Sequence, residues 1–193
     1  MLKGNKASPG GRGTMPVVDF AATIDRVESL LAPGKWRWAI AGGVALAAYG
    51  HPRMTLDVDI VTERAAQSVL VPAVEAAGYK TPYVSEGFSN HRHDDPAFGR
   101  LDVIYVNAAT ADRLFADTRE LAGPGGRPVR VPKPEHLIAM KLQAIQNAPE
   151  RTWQDLADIG YLLSVDGVDR AEAQRYFDKA GLMERWHELG RQR

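Results

Sequence analysis

The chain has 193 residues, is 45% hydrophobic and 25% charged, and contains no cysteine. This is the composition of a globular domain large enough for one core and an extension, and it excludes disulfide scaffolds and cysteine-ligated zinc. Its 24 basic and 24 acidic residues cancel, which argues against non-specific coating of nucleic acid but leaves room for a local basic groove.

No apolar run approaches the ~20 residues of a membrane span, and no secretory signal is visible, so a cytoplasmic protein with no membrane partner is expected. Residues 1–14, MLKGNKASPGGRGT, are polar and glycine-rich and read as a disordered leader, with Met15 a candidate start. Residues 17–31 carry Val18, Ala21, Ala22, Val27, Leu30 and Leu31 at helical spacing, and Pro33-Gly34 stops that helix. Residues 36–41 read as a buried strand ended by Gly42-Gly43, and a short helix over residues 44–49 is closed by Gly50. Glycine lets backbone approach a ligand, and free N–H groups at a helix start attract phosphate.

A loop carrying Arg53 and Thr55 leads into the strand LDVDI. Side chains alternate along a strand, so Leu56, Val58 and Ile60 face the core while Asp57 and Asp59 share the other face, about 6–7 Å apart. Two neighbouring carboxylates repel unless a cation sits between them, and such an oxygen pair suits magnesium that also keeps waters and phosphate oxygens. A half-exposed strand with a polar outer face is the plainer alternative.

Residues 64–77 read as a helix ended by Gly78, and residues 79–84 as a strand. Residues 85–98 are polar and are expected to be a loop or an edge strand. Their cluster of His91, His93, Asp94 and Asp95 invites a metal assignment, but His-x-His in such a segment is expected to be solvated surface. RLDVIYV, residues 100–106, places Leu101, Val103 and Tyr105 on one strand face and Asp102 with Ile104 and Val106 on the other. An acid on an apolar face is costly unless paired or metal-bound; Arg100 and Arg53 are the candidate partners.

Residues 109–116 read as a short helix, and GPGG between residues 118–122 and 127–131 signals a hairpin. Beyond Pro132 and Pro134 the pattern is helical, over residues 134–146, 152–163, 169–180 and 182–189. At 100° per residue Lys141 falls among Leu137, Ile138 and Ile145, inside the apolar stripe. Asp155 lies at the stripe edge of the following helix, between Ile159 and Leu162; Asp158 projects further away. Charges are seldom buried unpaired, so Lys141 and Asp155 pair with each other or face a cleft.

The run from residue 40 to residue 61, IAGGVALAAYGHPRMTLDVDIV, resembles the signature of the nucleotidyltransferase superfamily that includes DNA polymerase beta. It is closest to the abortive-infection and toxin–antitoxin nucleotidyltransferases of bacteria. Their pattern is a hydrophobic residue, Gly-Gly or Gly-Ser, a short helix, then Gly-x-x-Arg-x-Thr-x-Asp-hydrophobic-Asp. The resemblance extends over residues 36–163, and LIAMKLQAI and WQDLADIGYLL resemble later segments of the toxin-like members. Gly43 stands where many members carry a phosphate-holding serine, which implies altered phosphate contacts.

The resemblance implies an α/β fold: a small mixed sheet with helices on one side, as a nucleotidyltransferase core over residues 15–132, and a helical C-terminal extension over residues 133–193. The alternation of short strands and helices agrees with it. It implies transfer of a nucleotidyl group from a nucleoside triphosphate, with Asp57, Asp59 and Asp102 holding magnesium, or manganese in its place. Gly42, Gly43, Arg53, Thr55 and Asp155 are the implied nucleotide contacts, and Lys141 the implied cation on the triphosphate. RNA, protein and small-molecule hydroxyls are all open as acceptors, and the toxin-like members imply an antitoxin protein as partner. A small-molecule transferase acting on an aminoglycoside or lincosamide shares the same motifs. A non-catalytic binding module would predict broken acids, and all three are present.

Overall fold

The structure, a computed structural model, describes residues 18–191. The expected leader and Met15 lie outside that range. The chain builds α1 (Phe20–Leu31), β1 (Trp38–Ile40), α2 (Gly42–Ala48), β2 (Asp57–Glu63), α3 (Gln67–Ala76), β3 (Tyr79–Val84), β4 (Phe88–His93) and β5 (Arg100–Val106). There follow α4 (Ala108–Ala116), the hairpin β6 (Arg119–Ala122) and β7 (Pro128–Val131), and the helices α5 (Pro134–Asn147), α6 (Thr152–Leu162), α7 (Arg170–Lys179) and α8 (Met183–Arg191). No helix among the described residues is long and apolar enough to cross a membrane.

Five strands form one mixed sheet in the order β1-β2-β5-β4-β3. Only β2 and β5 run parallel; every other neighbouring pair is antiparallel. The two faces follow from strand alternation. Val58 and Ile60 of β2, with Leu101, Val103 and Tyr105 of β5, enter the main core against α1 and α3. Asp57, Asp59 and Val61, with Asp102, Ile104 and Val106, line the opposite face. Helices were expected on one side, but α4 and Met140 of α5 cover part of this second face. Ala39, Val61 and Leu114 make a small separate core there, with Ile104, Val106 and Met140 packed on it. One end of that face is therefore dry and the other holds the acids.

Helix α1 is capped by Asp19, whose Oδ1 accepts the N–H of Ala22 at 2.9 Å. Its inward set is Thr23, Ile24, Val27 and Leu31; of the expected stripe Val18, Val27 and Leu31 are buried, while Ala21, Ala22 and Leu30 are half-buried. Gly42 and Gly43 form the first turn of α2 rather than ending the strand.

The polar segment, expected as a loop or an edge strand, holds β4, an interior strand paired antiparallel with both β5 and β3. Its inward residues are Ser89 and His91, so no apolar alternation marked it. His91 is buried rather than solvated, and its ring bonds Thr81 Oγ1 at 2.9 Å and Ser89 Oγ at 2.8 Å. Ser89 Oγ lies 2.9 Å from Tyr105 Oη. These bonds satisfy polar groups that burial would otherwise penalise. Burial pushes the His91 imidazole down to about 4, which keeps it neutral. Asp94 pairs instead with Lys80 at 2.8 Å, and His93 packs edge-on against Tyr79 and Phe98.

In the helical part α5 packs on α6 and α7, and α8 on α7, with Phe177 fully buried. Two hydroxyls bind these pieces to the sheet. Tyr49, at the end of α2, donates to the Pro132 carbonyl at 2.9 Å, and Tyr161 of α6 donates to the Tyr49 carbonyl at 2.9 Å. His51 stacks on Tyr161 at 4.3 Å. Tyr161→Phe keeps the stack and removes one hydrogen bond. It should cost about 1 kcal/mol and lower the melting temperature by roughly 2–4 °C. An unchanged melting curve would show that this tie contributes nothing.

Candidate active site

The site forms where β1 ends against β2. The Ala41 N–H donates to the Asp59 carbonyl at 2.8 Å, and the chain then turns into α2 at Gly42, φ +56°. A Cβ on Gly42 would lie 1.8 Å from Asp59 Oδ2, so only glycine admits the carboxylate beside this turn. Gly43 is buried one residue further in, where a Cβ would lie 2.9 Å from Thr55 Cβ. The threonine occupies the space that a serine side chain would need.

Pairing of β2 with β5 sets Asp59 directly across from Asp102 and Asp57 across from Arg100. Asp57 is held by neighbours: its Oδ1 accepts from Thr55 Oγ1 and from the Leu56 N–H, each at 3.1 Å. Asp102 is not. Its Oδ1 is buried without a hydrogen-bond partner, and its Oδ2 lies 3.8 Å from Arg100 Nη2. Burial first, then the charges of Asp102 and Asp57, push the Asp59 carboxyl up to about 7 against the pull of Lys141 and Arg151. Burial also lifts Asp102, to about 6, although Arg100 and Arg151 oppose it. Both groups resist ionising alone and would ionise readily beside a cation.

Among the described residues no group of three or more His, Cys, Asp or Glu side chains is placed to hold a metal ion, so Asp57, Asp59 and Asp102 are not a ready-made three-acid site. Magnesium is commonly held by only one or two carboxylates together with waters and substrate phosphates. The orphaned Asp102 oxygen and the Asp59–Asp102 register fit such an ion.

Asp59 and Asp102 open on a cleft of about 720 Å³, which Gly42, Arg53, Lys141, Arg151 and Asp155 also line, whereas Asp57, Gly43 and Thr55 are not in its lining. Tyr83 and Phe88 border it from the β3–β4 turn, their rings 6.3 Å apart. Lys141 faces this cleft and is also buried among acids. Its Nζ donates to Asp155 Oδ1 at 3.0 Å and Asp158 Oδ2 at 2.5 Å. Arg53 Nε lies 3.4 Å from Asp158 Oδ2, which links the loop before β2 to α6. Asp158 is as buried as Asp155, against the helical projection that set it aside. Its three-residue spacing from Asp155 was the available signal, because such residues share a helix face. Arg151 lies between α5 and α6, where no periodicity points to it.

Two predictions come from these charges. Lys141→Ala would strand two buried carboxylates and should cost about 3–5 kcal/mol of stability. A melting curve reads that cost. If the folded variant kept full triphosphate affinity, Lys141 would belong to the framework and not to the cleft. The second concerns pH. Free aspartate titrates near 3.9, while folded Asp59 and Asp102 are raised to about 7 and about 6. The folded state therefore keeps protons that the unfolded chain releases. This contribution is full below about pH 4 and is lost as pH rises to about 7. Without metal, Asp59→Asn should melt like the parent below about pH 4 and above it at pH 8, the gap opening between about pH 4 and pH 7. A constant gap would mean that Asp59 carries no raised titration.

Sequence and structure comparisons bear on this geometry. The family described as nucleotidyl transferase AbiEii toxin, Type IV TA system, matches residues 29–189. No curated protein matches the chain. Among solved structures, the chain is similar to ANT(2'')-Ia in complex with adenylyl-2''-tobramycin, at 18% identity and TM-score 0.63, over 82% of this chain and 97% of that one. It is similar to the lincosamide antibiotic adenylyltransferase LnuA, lincomycin-bound, at 16% identity and TM-score 0.51, over 77% and 98%. A nucleotidyltransferase-like protein from Paracoccidioides brasiliensis matches at 16% identity and TM-score 0.52, over 91% and 93%. At such identities the structural likeness speaks for the fold alone. The family match runs from the end of α1 into α8 and takes in every acid and glycine of the cleft, so the chain belongs to the AbiEii nucleotidyl transferase toxin family.

Proposed function

We propose that this protein moves a nucleotidyl group from a nucleoside triphosphate to an acceptor hydroxyl, in a reaction that depends on magnesium or manganese. The observation that carries the reading is the pairing of Asp59 with Asp102 across parallel strands, with Asp57 on the same face and Gly42 against Asp59. Asp57, Asp59 and Asp102 would hold the metal. When bound, the ion offsets triphosphate charge and stabilises the attacking and leaving oxygens.

The chain's own residues would do the rest. The backbone at Gly42 and Gly43 lies beside the phosphates, and Arg53 and Lys141 face their charge. Thr55 orients Asp57 through its hydroxyl. Asp155 keeps Lys141 extended toward the cleft, a role that holds the cation in place before substrate arrives. Asp102 Oδ1 takes the proton of the acceptor hydroxyl as the new oxygen–phosphorus bond forms. The bond from the α-phosphorus to pyrophosphate breaks, and pyrophosphate leaves. We further propose that the protein works in the cytoplasm as the toxin of a pair, with an antitoxin protein as its partner. The small-molecule alternative uses the same cleft and differs in its acceptor.

Melting curves of the parent and of Asp57→Asn/Asp59→Asn, with and without magnesium and each triphosphate, test the reading. The parent should gain about 2.7 kcal/mol at a hundredfold excess over Kd. The double variant should be at least as stable without metal, gain nothing from ligand, and fail to label any acceptor in a cell extract. A variant that melts well below the parent yet keeps the full ligand shift would sink the assignment.

A further inference from the structure

Beside the cleft lies a second cavity of about 410 Å³, walled by α4, α5 and α7 against the end of β5. Ile104, Met140 and Gln143 line both. Ile104 follows Asp102 by two residues on the same strand face, so the shared boundary begins roughly 6–7 Å from the third carboxylate.

The polar lining of this cavity carries one sign. Arg113 of α4 and Lys179 of α7 are exposed at its edge, and neither has a hydrogen-bond or ion-pair partner among the described residues. No Asp or Glu among the described residues lines it. Glu172, which approaches His136 and Tyr176 from α7, is taken up by Lys133 at 2.9 Å and by the Tyr176 hydroxyl at 2.9 Å. His136 lines the cavity from α5, only 8% exposed, and its Nδ1 has no partner. Several other cations are matched, among them Arg37 with Glu63, Lys80 with Asp94, and Lys133 with Asp117 and Glu172. Two unmatched cations and an imidazole whose Nδ1 is free, while its Nε2 lies 3.6 Å from Glu172, gather over an apolar floor in a concave site with no carboxylate in its lining.

We infer that this cavity is an acceptor subsite that takes a phosphate group of the acceptor, whose hydroxyl reaches Asp102 across Ile104. The inference rests on the nucleotidyl-transfer reading of the cleft. Arg113 and Lys179 supply the charge, and His136 and Gln143 supply hydrogen bonds. A polycationic amino sugar would meet like charge here and find no carboxylate, which disfavours it. The phosphate has two sources, a polynucleotide strand or a small sugar phosphate.

The test uses the full chain and a fluorescent twelve-nucleotide single-stranded RNA, with ribose 5-phosphate as the small probe. The double variant Arg113→Ala/Lys179→Ala alters exposed residues and should keep the parent's melting curve and its magnesium–triphosphate shift. Affinity for one of the two probes should fall about tenfold at low salt. If RNA is the ligand, the slope of log affinity against log salt should shrink by roughly 1.4, the contribution of two phosphate contacts on a single strand. Ribose 5-phosphate alone losing affinity would assign a small acceptor. Arg113→Lys/Lys179→Arg should retain most of the binding. A normal triphosphate shift with both probes unaffected would overturn the inference alone, as would transfer to an aminoglycoside that the double variant leaves untouched. A parent with no triphosphate shift would overturn the transfer reading and this inference together.

Discussion

The arrangement of this protein depends on holding Asp59 and Asp102 across from each other on adjacent parallel strands. Left to themselves, two carboxylates at sheet spacing repel, and burial makes their ionisation costlier still. The main core overrides that penalty. Val58 and Ile60 on one strand, and Leu101 and Val103 on the other, are all essentially inaccessible and cannot change faces without exposing themselves. Their burial sets the register, and the register places the acids. The carboxylates answer by shifting upward in pKa, which leaves a site poised to gain from a cation.

The opposite wall of the cleft is built by charge and hydrogen bonding. Lys141, Asp155, Asp158 and Arg53 form a buried network spanning α5, α6 and the loop before β2. Such a network stabilises only when complete, because removing one member leaves another charge unpaired in a poor solvent. It also fixes the direction of Lys141. The Tyr161–Tyr49–Pro132 chain of hydrogen bonds does the same for the helices as bodies, so the helical part and the sheet face each other in one geometry.

The second face of the sheet divides its labour along its length. Near β1 and α4 it is dry, closed by Ala39, Val61 and Leu114. Toward Asp57 it is open and acidic. Ile104 sits at the changeover and borders both cavities. The cleft and the cationic cavity are therefore neighbours that share Ile104, Met140 and Gln143, with the third acid on the cleft side two residues before Ile104.

Much of this was legible in the chain. The pairing of Asp57 with Asp59 on one strand face, the position of Asp102 on an otherwise apolar face, and the burial of Lys141 all follow from the periods of strand and helix, which are local properties. The hairpin around GPGG and the C-terminal helices follow from turn chemistry and helical spacing for the same reason. Strand β4 did not, because its inward residues, Ser89 and His91, are polar and become acceptable only when Thr81 and Tyr105 arrive from other strands to bond them. The inclusion of Asp158 likewise depended on Lys141 reaching across from α5. The cationic cavity belongs wholly to the tertiary structure: Arg113, His136 and Lys179 are scattered over three helices, and no local pattern relates them. Sequence determines which face a side chain takes on its own element; which distant charges it meets there is decided only when the elements pack.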